Sequence, residues 1–125
     1  MTADLTRAAN CVSLPEEMGG NMPNRLSAVA TVQEDNDRVR VTEHRFASGA
    51  ETTPHVHQWD YVVVPQTDGE LLIVEPDGNE VRARLTRGQS YYRQAGVNHN
   101  VINVGGGELV FIEVEMKAHP IVDKM

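Results

Sequence analysis

The chain has 125 residues and a mass of 13.8 kDa, which is the size of one domain with a single buried core. Its 40% hydrophobic and 23% charged residues are ordinary for a globular protein, and its formal net charge of −7 argues against a nucleic-acid or anionic-membrane surface. No apolar stretch is long enough to span a membrane, the first residues do not resemble a signal peptide, and the single cysteine excludes an internal disulfide. We therefore expect a cytoplasmic protein.

The chain divides by composition into an arm, a domain and a tail. Residues 1–25 contain several residues that interrupt regular structure, among them Pro15, Gly19, Gly20 and Pro23. We expect an irregular N-terminal arm at residues 1–25, the folded domain at residues 26–116 and a C-terminal tail at residues 117–125.

The domain has the pattern of short strands separated by turns. β-Branched and aromatic residues alternate with polar ones and predict strands at residues 26–33, 38–46, 57–64, 70–74, 81–85, 89–93, 99–104 and 108–116. Asp77 and Gly78 predict a tight hairpin turn. No stretch has a convincing helical period, so the sequence predicts an all-β antiparallel sandwich or barrel.

Three histidines fall in two separated blocks of the sequence. His55 and His57 form a His-x-His pair, and His99 lies in a second block further along. Because side chains alternate along a strand, the two imidazoles of the pair point to the same side. A third histidine from another strand can complete a cluster around one metal ion. His44 and His119 lie outside these blocks, and we expect them to be ordinary surface or core groups.

The two blocks resemble the paired motifs of the cupin superfamily. The first runs from Gly49 through the His-x-His pair to Gly69, and the second consists of Gly88, Gln94, Gly96, His99 and Asn103. Gln94 stands where cupins usually have proline. The resemblance implies an all-β double-stranded β-helix, or jelly-roll barrel. It also implies a divalent transition metal, Fe(II), Mn, Ni or Zn, bound by His55, His57 and His99.

The residues after the His-x-His pair depart from the usual cupin pattern, which has a glutamate there. The position four residues after His57 is Tyr61, and the only nearby acid is Asp60. On a regular strand Tyr61 faces the same way as the histidines, and Asp60 could join them only through a β-bulge. Asp60 is therefore one candidate for a fourth ligand, and a three-histidine site with open positions is the alternative. Tyr61 is then either a catalytic hydrogen-bonding or proton-transferring residue or a barrel-lining aromatic.

In lacking this glutamate, the chain resembles three-histidine cupin dioxygenases. We therefore expect a metal-dependent, dioxygenase-type enzyme that acts on a small polar metabolite. The alternatives are a non-catalytic module that binds a small molecule or a metal, and a metal-assisted isomerase or lyase in which Tyr61 transfers protons. The run of residues 60–65 is also similar to small cupins named for β-alanine degradation.

As partners we expect a small-molecule ligand, no nucleic acid and no membrane. We also expect a homodimer, because small cupins are commonly dimers and closed twofold dimers are the commonest soluble oligomers. Sedimentation at micromolar concentration distinguishes this from a monomer.

Overall fold

The computed structural model of the protein describes residues 25–120. The expected N-terminal arm therefore lies outside the described residues except for Arg25, as does the end of the expected C-terminal tail.

Nine strands form the described part of the chain, and no helix occurs between residues 25 and 120. The strands are β1 Val29–Asp35, β2 Val39–Phe46, β3 His55–Val56, β4 Trp59–Pro65, β5 Gly69–Val74, β6 Glu80–Leu85, β7 Tyr91–Arg93, β8 Asn98–Asn103 and β9 Leu109–Pro120. All pairings between these strands are antiparallel. Accordingly, no helix that could cross a membrane is found in this range.

The strands form two sheets that face each other. The order is β1-β2-β9-β4-β7 in the five-stranded sheet and β3-β8-β5-β6 in the four-stranded sheet. From β3 onward the chain passes repeatedly between the sheets, which is the connectivity of a double-stranded β-helix. The apolar core fills the space between them and contains Phe46, Ala50, Tyr61, Val63, Leu71, Leu85, Val101, Leu109 and Phe111. The predicted all-β jelly-roll fold is confirmed.

The strand bounds differ from the sequence prediction most at the first histidine block. One strand was expected over residues 57–64, but the structure has β3 in the four-stranded sheet and β4 in the other. The chain changes sheets at His57 and Gln58, where the backbone of His57 bonds to the turn before β8 instead of to a strand partner. A second difference is at the end of the domain, because β9 continues for four residues beyond Met116.

Asn103 joins the ends of β2 and β8 to the loop before β9. Its buried side-chain amide donates to the carbonyls of Phe46, Ala47 and Gly107 at 3.3, 3.2 and 2.9 Å, and its Oδ1 accepts the N–H of Gly105 at 3.0 Å. Asn103 thus cross-links these chain segments through its side chain.

We expect Asn103→Ala to lower the free energy of unfolding by about 2–4 kcal/mol, because buried carbonyls and an N–H would lose their partner. Urea denaturation followed by circular dichroism measures this. Asn79→Ala is the control, since Asn79 lies in the exposed hairpin turn after β5, and it should cost less than about 1 kcal/mol. Equal losses in the two variants would contradict this role for Asn103.

Candidate metal centre

The pairing of β3 with β8 brings the two histidine blocks together. His55 lies directly opposite His99 in this pairing. The N–H of His57 donates to the carbonyl of Val97 at 2.9 Å, and the N–H of Gly96 donates to the carbonyl of His57 at 2.8 Å. Gly96 has a φ of 100°, which glycine adopts without strain. These contacts fix all three histidines at one end of the barrel.

The three imidazoles converge through their Nε2 atoms. The Nε2 atom of His57 lies 3.0 Å from that of His55 and 3.1 Å from that of His99. One nitrogen from each ring lies within 4.8 Å of the other two. Nitrogens that bind one ion at about 2.1 Å, at right angles to each other, are about 3.0 Å apart. The spacing of His57 from His55 and from His99 therefore fits neighbouring ligands of one octahedral ion.

The opposite ring nitrogens face acceptors, which sets the tautomer of two rings. Nδ1 of His55 lies 2.8 Å from the carbonyl oxygen of Thr53, and Nδ1 of His57 lies 3.7 Å from Oε2 of Glu113. The Thr53 carbonyl can only accept, so the hydrogen of His55 belongs on Nδ1 and the lone pair on Nε2. The Glu113 carboxylate is too far from His57 for a hydrogen bond, but its negative charge favours the same tautomer there. Thr53 itself has a φ of 76°, which is unusual for a β-branched residue, at the point where its carbonyl faces His55.

Burial keeps these imidazoles neutral. It lowers the pKa of His57 to about 4 and that of His99 to about 3, and the neighbouring histidines add to the shift. The pKa of His55 is also lowered, mainly by burial. Neutral imidazole is the form that binds a metal, so no proton needs to leave these rings at neutral pH.

Glu113 is a residue of the site that sequence reasoning missed. Its side chain is only 7% exposed, and Oε1 accepts a hydrogen bond from Nε2 of His44 at 3.2 Å. Burial alone would raise the pKa of Glu113, but the His44 hydrogen bond and the charges of the surrounding histidines outweigh burial and lower it. His44, which was expected to be an ordinary group, thus supports the carboxylate beside His57.

The burial of Glu113 could have been suspected from the alternation of inward and outward side chains along β9. Leu109 and Phe111 belong to the core, and Glu113 lies on the same face of the strand. A glutamate that continues a core-facing row is seldom buried without a partner. The opposite face, with Val110, Ile112, Val114 and Met116, looks equally apolar in the sequence and hides this signal.

Tyr61 packs against His57. Its ring stacks on that of His57 with centroids 4.0 Å apart, and its side chain is 2% exposed. Burial and the charge of Glu113 raise the pKa of its hydroxyl well above the usual value, so the phenol stays protonated. The structure thus places Tyr61 beside a proposed ligand, while its catalytic role stays a prediction.

The structure places the carboxylate of Asp60 against β7 and the turn after it. A register shift between β4 and β9 does occur at Trp59 and Asp60. However, Oδ1 of Asp60 accepts the N–H of Ala95 at 2.8 Å, and Oδ2 accepts the hydroxyl of Tyr92. Within residues 25–120, the carboxylates grouped with a histidine of the site are those of Glu113 and Glu115. The role of Asp60 as a ligand therefore stays a prediction with little geometric support.

Two cavities adjoin the histidines. The inner cavity has a volume of about 40 Å³ and is lined by all three of them together with core side chains. The outer cavity has a volume of about 490 Å³ and is lined by His55 and His57 but not by His99. Since the inner cavity holds at most a few waters, the outer one is the cavity of these two that has room for a substrate.

Known proteins share this fold and these motifs. The cupin domain family matches residues 42–115, which is more than half of the chain. The chain is a cupin.

Similar cupins are known from several bacteria. The chain is 57% identical to the β-alanine degradation protein BauB of Pseudomonas aeruginosa over 96 residues, which are 77% of this cupin and 100% of the relative. A cupin domain structure from Bordetella pertussis is 55% identical, with a TM-score of 0.72, and the match covers 75% of this chain and 97% of that one. A double-stranded β-helix protein from Klebsiella pneumoniae is 20% identical with a TM-score of 0.62, covering 77% and 82% of the two chains, and shares the fold.

The buried histidines predict a loss of stability in mild acid. We expect each of His57 and His99 to lower the free energy of unfolding of the metal-free protein by about 1.5 kcal/mol between pH 6.5 and 5. The sign follows because the unfolded histidine gains a proton near pH 6.5, whereas the folded pKa values of about 4 and 3 keep these rings neutral. The raised pKa of Glu115 opposes this loss, because its folded form takes up a proton in the same pH range before its unfolded form does.

Urea denaturation at pH 7.5, 6 and 5 measures this loss. His57→Gln should weaken the loss of stability in acid without abolishing it, because His55 and His99 also have lowered pKa values. Equal loss of stability in acid by the wild-type protein and His57→Gln would contradict the prediction.

Proposed function

We propose that this cupin is a metal-dependent enzyme of dioxygenase type that acts on a small polar metabolite. Its metal would be a divalent transition ion bound by Nε2 of His55, His57 and His99. The observation that carries the proposal is the approach of Nε2 of His57 to within 3.0 and 3.1 Å of Nε2 of His55 and of His99, with one nitrogen of each ring within 4.8 Å of the other two.

The donor set suits Fe(II), Mn, Ni or Zn, because neutral imidazole binds all of these ions. With only three protein ligands, a bound ion would keep positions open for a chelating substrate and for dioxygen. When bound, a redox-active metal would supply the activation of substrate and dioxygen that such a reaction requires. The protein itself contributes the positions, tautomers and neutral state of its ligands.

Other residues of the chain keep these ligands in place. Glu113 faces the Nδ1 proton of His57 and is itself held by His44. Tyr61 supports the ring of His57 by stacking, and its protonated hydroxyl favours a hydrogen-bonding or positioning role over proton abstraction. The small inner cavity keeps bulk water away from the inner side of the site.

The similarity to BauB supports a small metabolite as substrate. That relative is named for β-alanine degradation, and the match covers its whole length. We propose that this cupin acts on a compound of similar size and polarity. A non-catalytic module that binds a metal or small molecule is the alternative, as is a metal-assisted isomerase or lyase. The homodimer and the cytoplasmic location also stay predictions.

We expect the purified, untagged protein to bind about one equivalent of a divalent transition metal, measured by elemental analysis after dialysis. His99→Gln should lower metal affinity at least about 100-fold, because a ligand is lost. His44→Gln removes an imidazole that contacts Glu113 and is not among the converging nitrogens, and it should lower metal affinity less than His99→Gln does. Equal retention of metal by the wild-type protein and His99→Gln would contradict the site.

The reaction class is tested by oxygen uptake after anaerobic loading with ferrous iron. We expect at least one compound from a panel of diketones, thiols and amino acids to stimulate oxygen consumption, and zinc-loaded protein to show none. Protein that is fully loaded with iron and consumes no oxygen with any compound would contradict a dioxygenase. A small molecule retained in native mass spectrometry without turnover would favour the binding module.

A further inference from the structure

We propose that the outer cavity selects small substrates that carry a protonated amino group, and that the carboxylate of Glu115 binds this group. The inference rests on the proposed function, because the cavity opens onto the same histidines. It adds the chemical class of the substrate and the residue that recognises it.

Glu115 has an unusual position opposite Arg40. The two residues are direct partners in the pairing of β2 with β9, and both line the outer cavity. Opposite charges in such a position normally interact. Instead, Nε of Arg40 binds Oδ2 of Asp35 at 3.2 Å, and its guanidinium lies 5.2 Å from the centre of the Trp59 ring. Within residues 25–120, the carboxylate of Glu115 has no hydrogen bond or ion pair.

Lys117 on β9, a second cation beside Asp35 and Trp59, is engaged in the same way. Lys117 binds Oδ1 of Asp35, and its ammonium lies 5.5 Å from the centre of the Trp59 ring. Both cations are therefore held by Asp35 and Trp59, which leaves the carboxylate of Glu115 available to a ligand.

The environment of Glu115 also favours a cationic ligand. Burial, followed by the charge of Glu113, raises the pKa of Glu115 to about 7. The surroundings of Glu115 thus stabilise its ionised carboxylate poorly, and a bound ammonium group would supply the missing positive charge. A charge-assisted hydrogen bond to such a half-buried carboxylate is stronger than one formed in open solvent.

The distance to the metal centre limits the size and polarity of the substrate. An oxygen of Glu115 lies within 4.8 Å of a ring nitrogen of His57. A substrate whose amino group binds Glu115 therefore needs only a few carbon atoms to reach the metal. The positive charge of the ion favours an anionic oxygen or sulfur at that end. Ala28, just before β1, and Ala30 and Val32 of β1 form an apolar wall for the carbon atoms between the two ends.

Trp59 provides the readout, because it is the only tryptophan of the chain and lines the outer cavity. Zinc-loaded protein is titrated with glycine, β-alanine and 4-aminobutanoate, and in parallel with the corresponding hydroxy acids, while Trp59 fluorescence is recorded. Zinc content is measured on each sample. We expect at least one amino acid to bind at least about 10-fold more tightly than its hydroxy counterpart.

Glu115→Gln should abolish this preference, and Glu115→Asp, which keeps the charge, should retain part of it. Glu80→Gln removes the same charge from an exposed position on β6 of the other sheet and should leave the preference unchanged. If zinc is bound but no amino acid is preferred, or if Glu115→Gln retains the preference, the inference is overturned while the proposed function stands. Wild-type protein that holds no metal would overturn the proposed function and this inference with it.

Discussion

The two-residue strand β3 determines whether the three histidines meet. Its pairing with β8 places His55 opposite His99, and the backbone bonds of His57 to the turn before β8 add the third ring. β8 is itself held in the four-stranded sheet by its pairing with β5 over four positions. A short strand paired with an anchored one thus brings together side chains that are far apart in sequence.

Burial of these rings has a cost that a bound cation would offset. Neutral imidazoles packed with their Nε2 atoms 3.0 and 3.1 Å apart cannot all present lone pairs to one another without repulsion. A divalent ion between them would satisfy the lone pairs together, while the carboxylate of Glu113 would balance part of its charge from behind His57. The same arrangement explains why Glu113 is buried although carboxylates usually avoid the core.

Much of the fold and part of the site could be predicted from the sequence. The spacing of His55, His57 and His99 indicated one cluster, and the alternating strands indicated a jelly roll. The division of the expected strand at His57 could not be read locally, because it depends on backbone bonds to Gly96 and Val97. Strand propensity alone favours continuing the strand through Gln58 and Trp59.

The acidic residues of the site were harder to predict for a different reason. Asp60 is next to the histidines in sequence, but its carboxylate bonds to Tyr92 and Ala95. Glu113 is distant in sequence, and both faces of β9 carry apolar residues, so alternation alone does not tell which face points inward. Only the pairing of β9 between β2 and β4 decides this.

The central claim is that three imidazole nitrogens bind one metal ion. X-ray absorption spectroscopy of the metal-loaded protein tests it most directly, because multiple scattering from imidazole rings gives their number and distance. The account predicts three imidazoles with metal–nitrogen distances of about 2.0–2.2 Å. A spectrum explained by oxygen ligands alone, or by a single imidazole, would contradict it.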